Sequence, residues 1–226
     1  MEQERPKRTV VPLWLEIVCV TAGALWLIRS LDNRPGNRGA WLAVPVVLFL
    51  AAMVPTLLRH NNLAEIGLRL WDRPAKNLRL LGGICLVVFP VLLCSVLLLK
   101  HYSVPLPLCP AVPEKGWLLW LMYQFLYVAV AEETFFRGYL QTNIRRLLTD
   151  AVQRNSAFSA LVVIIISAAV FAVFHSVLGG DLIAMLTFLP GLILGWLFFR
   201  TGSLLAPILF HGLANATYGL IGTVLT

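Results

Sequence analysis

Residues 128–140 read VAVAEETFFRGYL, so Glu132, Glu133 and Arg137 follow the apolar run 117–131 with no turn residue between. About 20 apolar residues cross roughly 30 Å of hydrocarbon as a helix, and this run has the length and composition of a membrane span. An Asp, Lys or Arg at the centre of a span costs about 2.5–3.5 kcal/mol on insertion scales, and Glu is expected to be comparable. Three such residues must therefore face a bundle interior or a cavity.

The rest of the chain agrees. Of 226 residues 59% are hydrophobic and 13% charged, with a mean hydropathy of +0.82, whereas about 25% of a soluble domain is charged. Seven apolar stretches, at approximately 11–28, 40–58, 80–99, 117–142, 157–178, 182–199 and 203–225, predict an all-α polytopic membrane protein. The expected fold is one transmembrane domain over 1–226, a bundle of about seven helices. The first stretch follows the basic start MEQERPKRT, but no small-residue cleavage site precedes RSLDNRPGNRG. It is expected to be a retained span rather than a signal peptide.

Charge orients the chain. With a cytoplasmic N-terminus, the inner segments 1–10, 59–79, 143–156 and 200–202 hold twelve Lys and Arg, and the outer segments 29–39 and 100–116 hold five. The positive-inside rule favours that orientation. The pI near 9.6 then reflects short loops facing anionic headgroups, so the expected partner is the bilayer and not nucleic acid. Short loops and the lack of eukaryotic targeting features suggest a prokaryotic inner membrane.

Cys19, Cys85 and Cys94 lie in predicted spans and Cys109 stands alone in a loop, which makes neither a disulfide framework nor a metal pattern. In the connection 59–79, Leu63, Ile66, Leu70 and Trp71 approximate helical spacing and predict a short amphipathic segment on the inner surface. Gly191 and Gly195 form a GxxxG that predicts close helix packing.

Functional information concentrates in the polar residues at membrane depth. Glu133 and Arg137 are four apart, share a helix face and can pair, the acidic residue first. Glu132 is rotated about 100° from its neighbour and is left with another task. His175 lies in the fifth span with Phe171 one turn earlier, and His211 and Asn215 lie four apart in the seventh. At about 1.5 Å per residue, Glu132 stands roughly 20 Å from Arg145, His175 about 27 Å into its span, and His211 and Asn215 about 12 and 18 Å into theirs. These depths straddle the membrane centre, and helix tilt absorbs several ångströms.

The set suits hydrolysis. A poorly solvated glutamate is a strong general base for water, with a histidine to hold that water and move the proton. The second histidine and the asparagine amide can donate hydrogen bonds to an oxyanion. Glu132, His175 and His211 would also make three zinc ligands with a fourth position open, although there is no HExxH pair and no evident second shell.

These residues resemble the motifs of the CPBP family, the CAAX proteases and bacteriocin-processing enzymes also called Abi. EETFFRG at 132–138 is similar to its EExxxR motif, Phe171 and His175 to FxxxH, and His211 and Asn215 to HxxxN, the last approached by RTGSLLAPILFHGLAN at 200–215. The resemblance covers about 117–220. It implies an intramembrane endopeptidase in which Glu132 activates water, His175 is its partner, His211 and Asn215 stabilise the transition state, and Glu133 and Arg137 support them. Both metal-free glutamic and zinc-dependent mechanisms are described for the family, and the chemistry of the residues favours no cofactor. The implied partner is a membrane-associated protein or peptide: a prenylated CAAX protein, a bacteriocin or pheromone precursor, or a C-terminally tagged surface protein. Two other functions fit the same residues, a bacteriocin self-immunity protein acting by binding and a proton-coupled transporter. The transporter is disfavoured by the lack of an inverted repeat or paired broken helices.

Overall fold

The computed structural model describes residues 11–32, 40–59, 61–104, 112–151 and 157–225. The N-terminal basic stretch, Arg34, Arg38, His60, Cys109 and Arg154 lie outside them. Among the described residues the chain is helical and without strands. The helices are α1 (Leu13–Asp32), α2 (Ala40–Leu58), α3 (Pro74–His101), α4 (117–151), α5 (Ala157–Gly179), α6 (Phe188–Thr201, preceded by the 3₁₀ turn Leu182–Thr187) and α7 (Leu205–Leu225). They correspond one for one with the seven apolar stretches. Among the described residues, five are long and apolar enough to cross a membrane, and α2 contributes the shorter apolar run Leu42–Leu58. The protein is integral to the membrane.

The charged helix α4 takes the centre, as the cost of exposing its charges to lipid requires. Every residue from Ala131 to Gln141 is buried. Against it pack Ile17, Ala24 and Ile28 of α1, Leu48 and Ala52 of α2, and Phe171 and Phe174 of α5. Phe136 meets three rings edge-on, those of Phe135, Phe171 and Phe174, with centroids 5.0, 5.0 and 5.2 Å away. Such pairs contribute about 0.5–1.5 kcal/mol each beyond their buried area. The helix widens into π-helical turns at Tyr123–Ala129 and Thr134–Gln141, on either side of the two glutamates. The second of these sections frees backbone carbonyls that side chains then take up. Ser167 of α5 donates to Phe136 O at 3.0 Å, and Thr142 to Arg137 O at 3.3 Å.

By contrast α3 is peripheral, burying only Asn77, Leu81 and Val96. Its inner face meets α6 and α7, where Phe89 stacks on Phe210 at 5.8 Å.

The helices do not start at one level. By about 1.5 Å per residue, Glu132 and His175 lie roughly 28 and 27 Å from the ends of α4 and α5 that face each other, but His211 only about 9 Å from the start of α7. All three residues nevertheless meet, so α7 starts well inside the level at which α4 ends and α5 begins. Two loops fill the space beneath it. Leu204 N donates to Gly67 O at 3.0 Å, joining the loop before α7 to the connection 61–73, and Ile66 and Leu204 are buried.

That connection is not the amphipathic helix expected from its spacing. It forms turns, because Gly67 takes φ +83° and its carbonyl pairs with another loop, and it sends Ile66 inward while Trp71 stays 83% exposed. The same end of the bundle carries Arg59 on Glu16 at 2.5 Å, Arg146 on Glu65, Arg69 on the Gly202 carbonyl and Lys76 on the Arg200 carbonyl. This is the basic end of the molecule.

A Cβ added at Gly138 would stand 2.9 Å from the Ile66 carbonyl oxygen, whereas one at Gly23 would meet nothing within 4 Å. Gly138→Val should therefore displace the inserted loop and destabilise the protein by about 1–3 kcal/mol. Gly23→Val should leave the melting temperature in detergent unchanged, and comparing the two melting curves checks the close approach.

Candidate active site

Helix α4 carries Glu133, Arg137 and Gln141 at a spacing of four, one polar stripe inside an apolar core. Arg137 and Glu133, both fully buried, pair through Nη1 and Oε1 at 3.1 Å. The stripe faces α6 at Gly191 and Gly195, also four apart. Arg137 Nη2 donates to Gly191 O at 3.2 Å and Gln141 Nε2 to Gly195 O at 2.9 Å. Both glycines also let α5 close in: a Cβ at Gly191 would meet Ala168 at 3.2 Å and one at Gly195 would meet Ile164 at 3.1 Å. The GxxxG is a packing surface, as expected, and it also exposes carbonyls to two polar side chains. The Arg137 guanidinium lies over the Phe171 ring, 4.5 Å from its centroid, a favourable cation–π contact.

Glu133 has a second partner that spacing along α4 cannot reveal. His211 Nδ1 lies 2.8 Å from Glu133 Oε1. A carboxylate only accepts, so Nδ1–H donates and the ring presents Nε2 on its far side. His175 is held in the same way from its own helix, Nδ1 standing 3.0 Å from the Phe171 carbonyl. Phe171 packs on both imidazoles, with centroids 4.3 Å from His175 and 5.9 Å from His211.

The two free nitrogens converge on Glu132. His175 Nε2 lies 3.7 Å and His211 Nε2 3.8 Å from Glu132 Oε2. Both separations exceed a hydrogen bond and suit one small molecule bridging the groups. Glu132 Oε2 is buried and has no hydrogen-bond partner among the described residues. Access is graded: the His175 side chain is 32% exposed, against 11% for Glu132 and 5% for His211. The α5 side of the cluster is its open side.

Asn215 is half-buried on α7, one turn beyond His211, and its amide Nδ2 donates to Gln124 Oε1 on α4 at 3.0 Å. Glu132, His175 and His211 are thus in one cluster, with Glu133 and Arg137 behind it and Asn215 beside it. Among the described residues, no group of three or more His, Cys, Asp or Glu is arranged to hold a metal ion.

This segment of the chain has relatives. Residues 114–217 match the model of the family described as Type II CAAX prenyl endopeptidase Rce1-like. This stretch is similar to the CAAX-protease family. No curated protein and no solved structure compared with the chain matches it. The matched segment starts before α4 and ends on α7 two residues after Asn215, so it contains every residue of the cluster. The helices α1 to α3 lie outside it.

Three participants in the matched segment escape a reading by motif. Gln141 extends the stripe of Glu133 and Arg137 by one turn, a signal available in its spacing. The Gly191 carbonyl is a backbone group and leaves no trace in residue type. Gln124 carries a polar side chain in an apolar span, the same kind of signal that singles out Asn215.

Removing one partner of a buried ion pair strands the other charge, at about 3–5 kcal/mol. Arg137→Leu should accordingly lower the melting temperature strongly, whereas Gln141→Leu, which loses a neutral hydrogen bond, should cost on the order of 1 kcal/mol. Thermal unfolding of the two purified variants in detergent tests that ranking.

Proposed function

We propose that the protein is an intramembrane endopeptidase that hydrolyses a peptide bond of a membrane-associated protein or peptide near its membrane segment or C-terminus, with water activated by Glu132. The observation that carries the proposal is the buried, unpartnered Glu132 Oε2 facing Nε2 of both His175 and His211 at 3.7 and 3.8 Å. The match of residues 114–217 to the CAAX-protease family model supports proteolysis in general.

In this reading a water molecule sits between Glu132 and the more exposed His175. Glu132 takes one proton as the water oxygen attacks the carbonyl carbon of the scissile bond, and His175 holds the water in line. The carbonyl oxygen gains the negative charge. Doubly protonated, His211 donates one N–H to Glu133 and offers the other to that oxyanion, while Asn215 offers an amide N–H. The charge of such an imidazolium, with that of Arg137, balances the two carboxylates inside the bundle. Collapse of the tetrahedral intermediate breaks the C–N bond, and the proton held by Glu132 passes to the leaving amine. Glu133 and Arg137 position His211 and remain unchanged through the cycle.

The basic end of the bundle faces the cytoplasm under the positive-inside rule, in a prokaryotic inner membrane, with the N-terminus on that side. The substrate reaches the cluster from the α5 side, where His175 is only half-buried.

Purified protein in liposomes should cleave a quenched-fluorescent peptide ending in a prenylated Cys-aliphatic-aliphatic-X sequence. Glu132→Gln, His175→Ala and His211→Ala should each reduce cleavage at least about 10²-fold, as loss of a positioned acid–base group does, while remaining folded. Wild-type turnover by Glu132→Gln would remove Glu132 from the mechanism. Exhaustive chelation should leave the rate intact, and a loss restored by zinc would establish the metal-dependent alternative. Protection of cells from a bacteriocin by Glu132→Gln as well as by wild type would instead identify an immunity protein acting by binding.

A further inference from the structure

The observed side-chain hydrogen bond of Asn215 runs away from the Glu132 cluster. Its Nδ2 donates to Gln124 Oε1 at 3.0 Å, between two half-buried side chains on different helices. Helices α4 and α7 run antiparallel here and touch closely on both sides of the pair. A Cβ at Gly212 would fall 2.4 Å from the Phe125 ring, and one at Gly219 would fall 2.8 Å from the Trp120 ring. Gly212 and Gly219 flank Asn215 in α7, as Phe125 and Trp120 flank Gln124 in α4. The two backbones therefore cannot slide past each other without a clash, and the carboxamide pair is held in register.

The chemistry of the pair is directional. A primary amide carries two N–H donors, and tying one of them to an acceptor fixes the plane of the group and hence the direction of the other. Gln124 lies in the π-helical section Tyr123–Ala129, and such insertions are frequent at functional sites. It stands eight residues before Glu132 on the helix that supplies the proposed base. Nothing in the Glu133–Arg137 network orients Asn215, so a free carboxamide there would lose rotamer freedom whenever it engaged an oxyanion.

We infer that Gln124 is a positioning residue: its carboxamide oxygen accepts one N–H of Asn215 and thereby aims the other at the oxyanion formed during peptide-bond hydrolysis. The inference rests on the proposed endopeptidase reading. Gln124 acts through Asn215 and touches neither the water nor the scissile bond.

A double-mutant cycle in liposomes tests this, with the farnesylated quenched-fluorescent peptide as substrate. Asn215→Ala should lower kcat about 10²-fold, the usual effect of losing an oxyanion donor. Gln124→Met, which keeps length but lacks the acceptor, should lower kcat about tenfold with KM within twofold, since the bond matters only when the oxyanion forms. The double variant should be no slower than Asn215→Ala alone. Additive losses in the double variant, or an unchanged kcat in Gln124→Met beside a slowed Asn215→Ala, overturn the role of Gln124 and leave the protease reading standing. Wild-type turnover by Asn215→Ala overturns the oxyanion role of Asn215 and with it that of Gln124, whereas failure of the wild-type protein itself to cleave overturns the protease reading. If Gln124→Met does not fold, Gln124→Ala, which also removes the acceptor, carries the same cycle.

Discussion

The carboxylate of Glu133 is the group on which the site depends. It is fully buried at membrane depth, where a charge persists only with compensation, and it takes that compensation from Arg137 at 3.1 Å and His211 at 2.8 Å. Arg137 in turn reaches the Gly191 carbonyl. One anion thus ties α4 to α7 directly and to α6 through its counter-ion, at a single depth. Adjacent glutamates then have different surroundings: Glu133 is tied through Oε1 to Arg137 and His211, while Glu132, turned about 100° around the helix, has an Oε2 that faces both histidine Nε2 atoms and has no hydrogen-bond partner among the described residues.

Backbone geometry supports this arrangement without further charged groups. In lipid every carbonyl must be satisfied within the protein, and widened helical turns are tolerated only where protein covers them. The turn Thr134–Gln141 is covered by α2, α5 and α6, with Ser167 on the Phe136 carbonyl, and the turn Tyr123–Ala129 packs on α7. Gly191 and Gly195 serve on both sides of α6, bringing it against α5 and turning carbonyls toward Arg137 and Gln141.

Much of the architecture was legible in residue order. The seven helices follow from apolar length, and the Glu133–Arg137 pair from a spacing of four, because both depend on local geometry alone. The connection 61–73 shows the opposite case. Its apolar spacing imitates a helix, but Gly67 at φ +83° and the bond from Leu204 to its carbonyl turn the segment inward. Depth estimates from helix starts also fell short, because they assumed that all helices begin at one surface, whereas α7 begins well inside it over two buried loops.

By itself the sequence determined that this chain is a membrane bundle, that its few intramembrane charges are hidden inside, and which of them pair along one helix. Hydrophobic length and the 3.6-residue period are properties of a single segment, so no neighbour is needed to state them. Only the tertiary structure decided that Glu133 holds His211, that both histidines present Nε2 to Glu132, and that Asn215 rests on Gln124. Those contacts join helices distant in the chain, and their geometry depends on the relative depth and rotation of α4, α5 and α7. Packing at glycines and inserted loops sets both, and no repeat in the sequence records them.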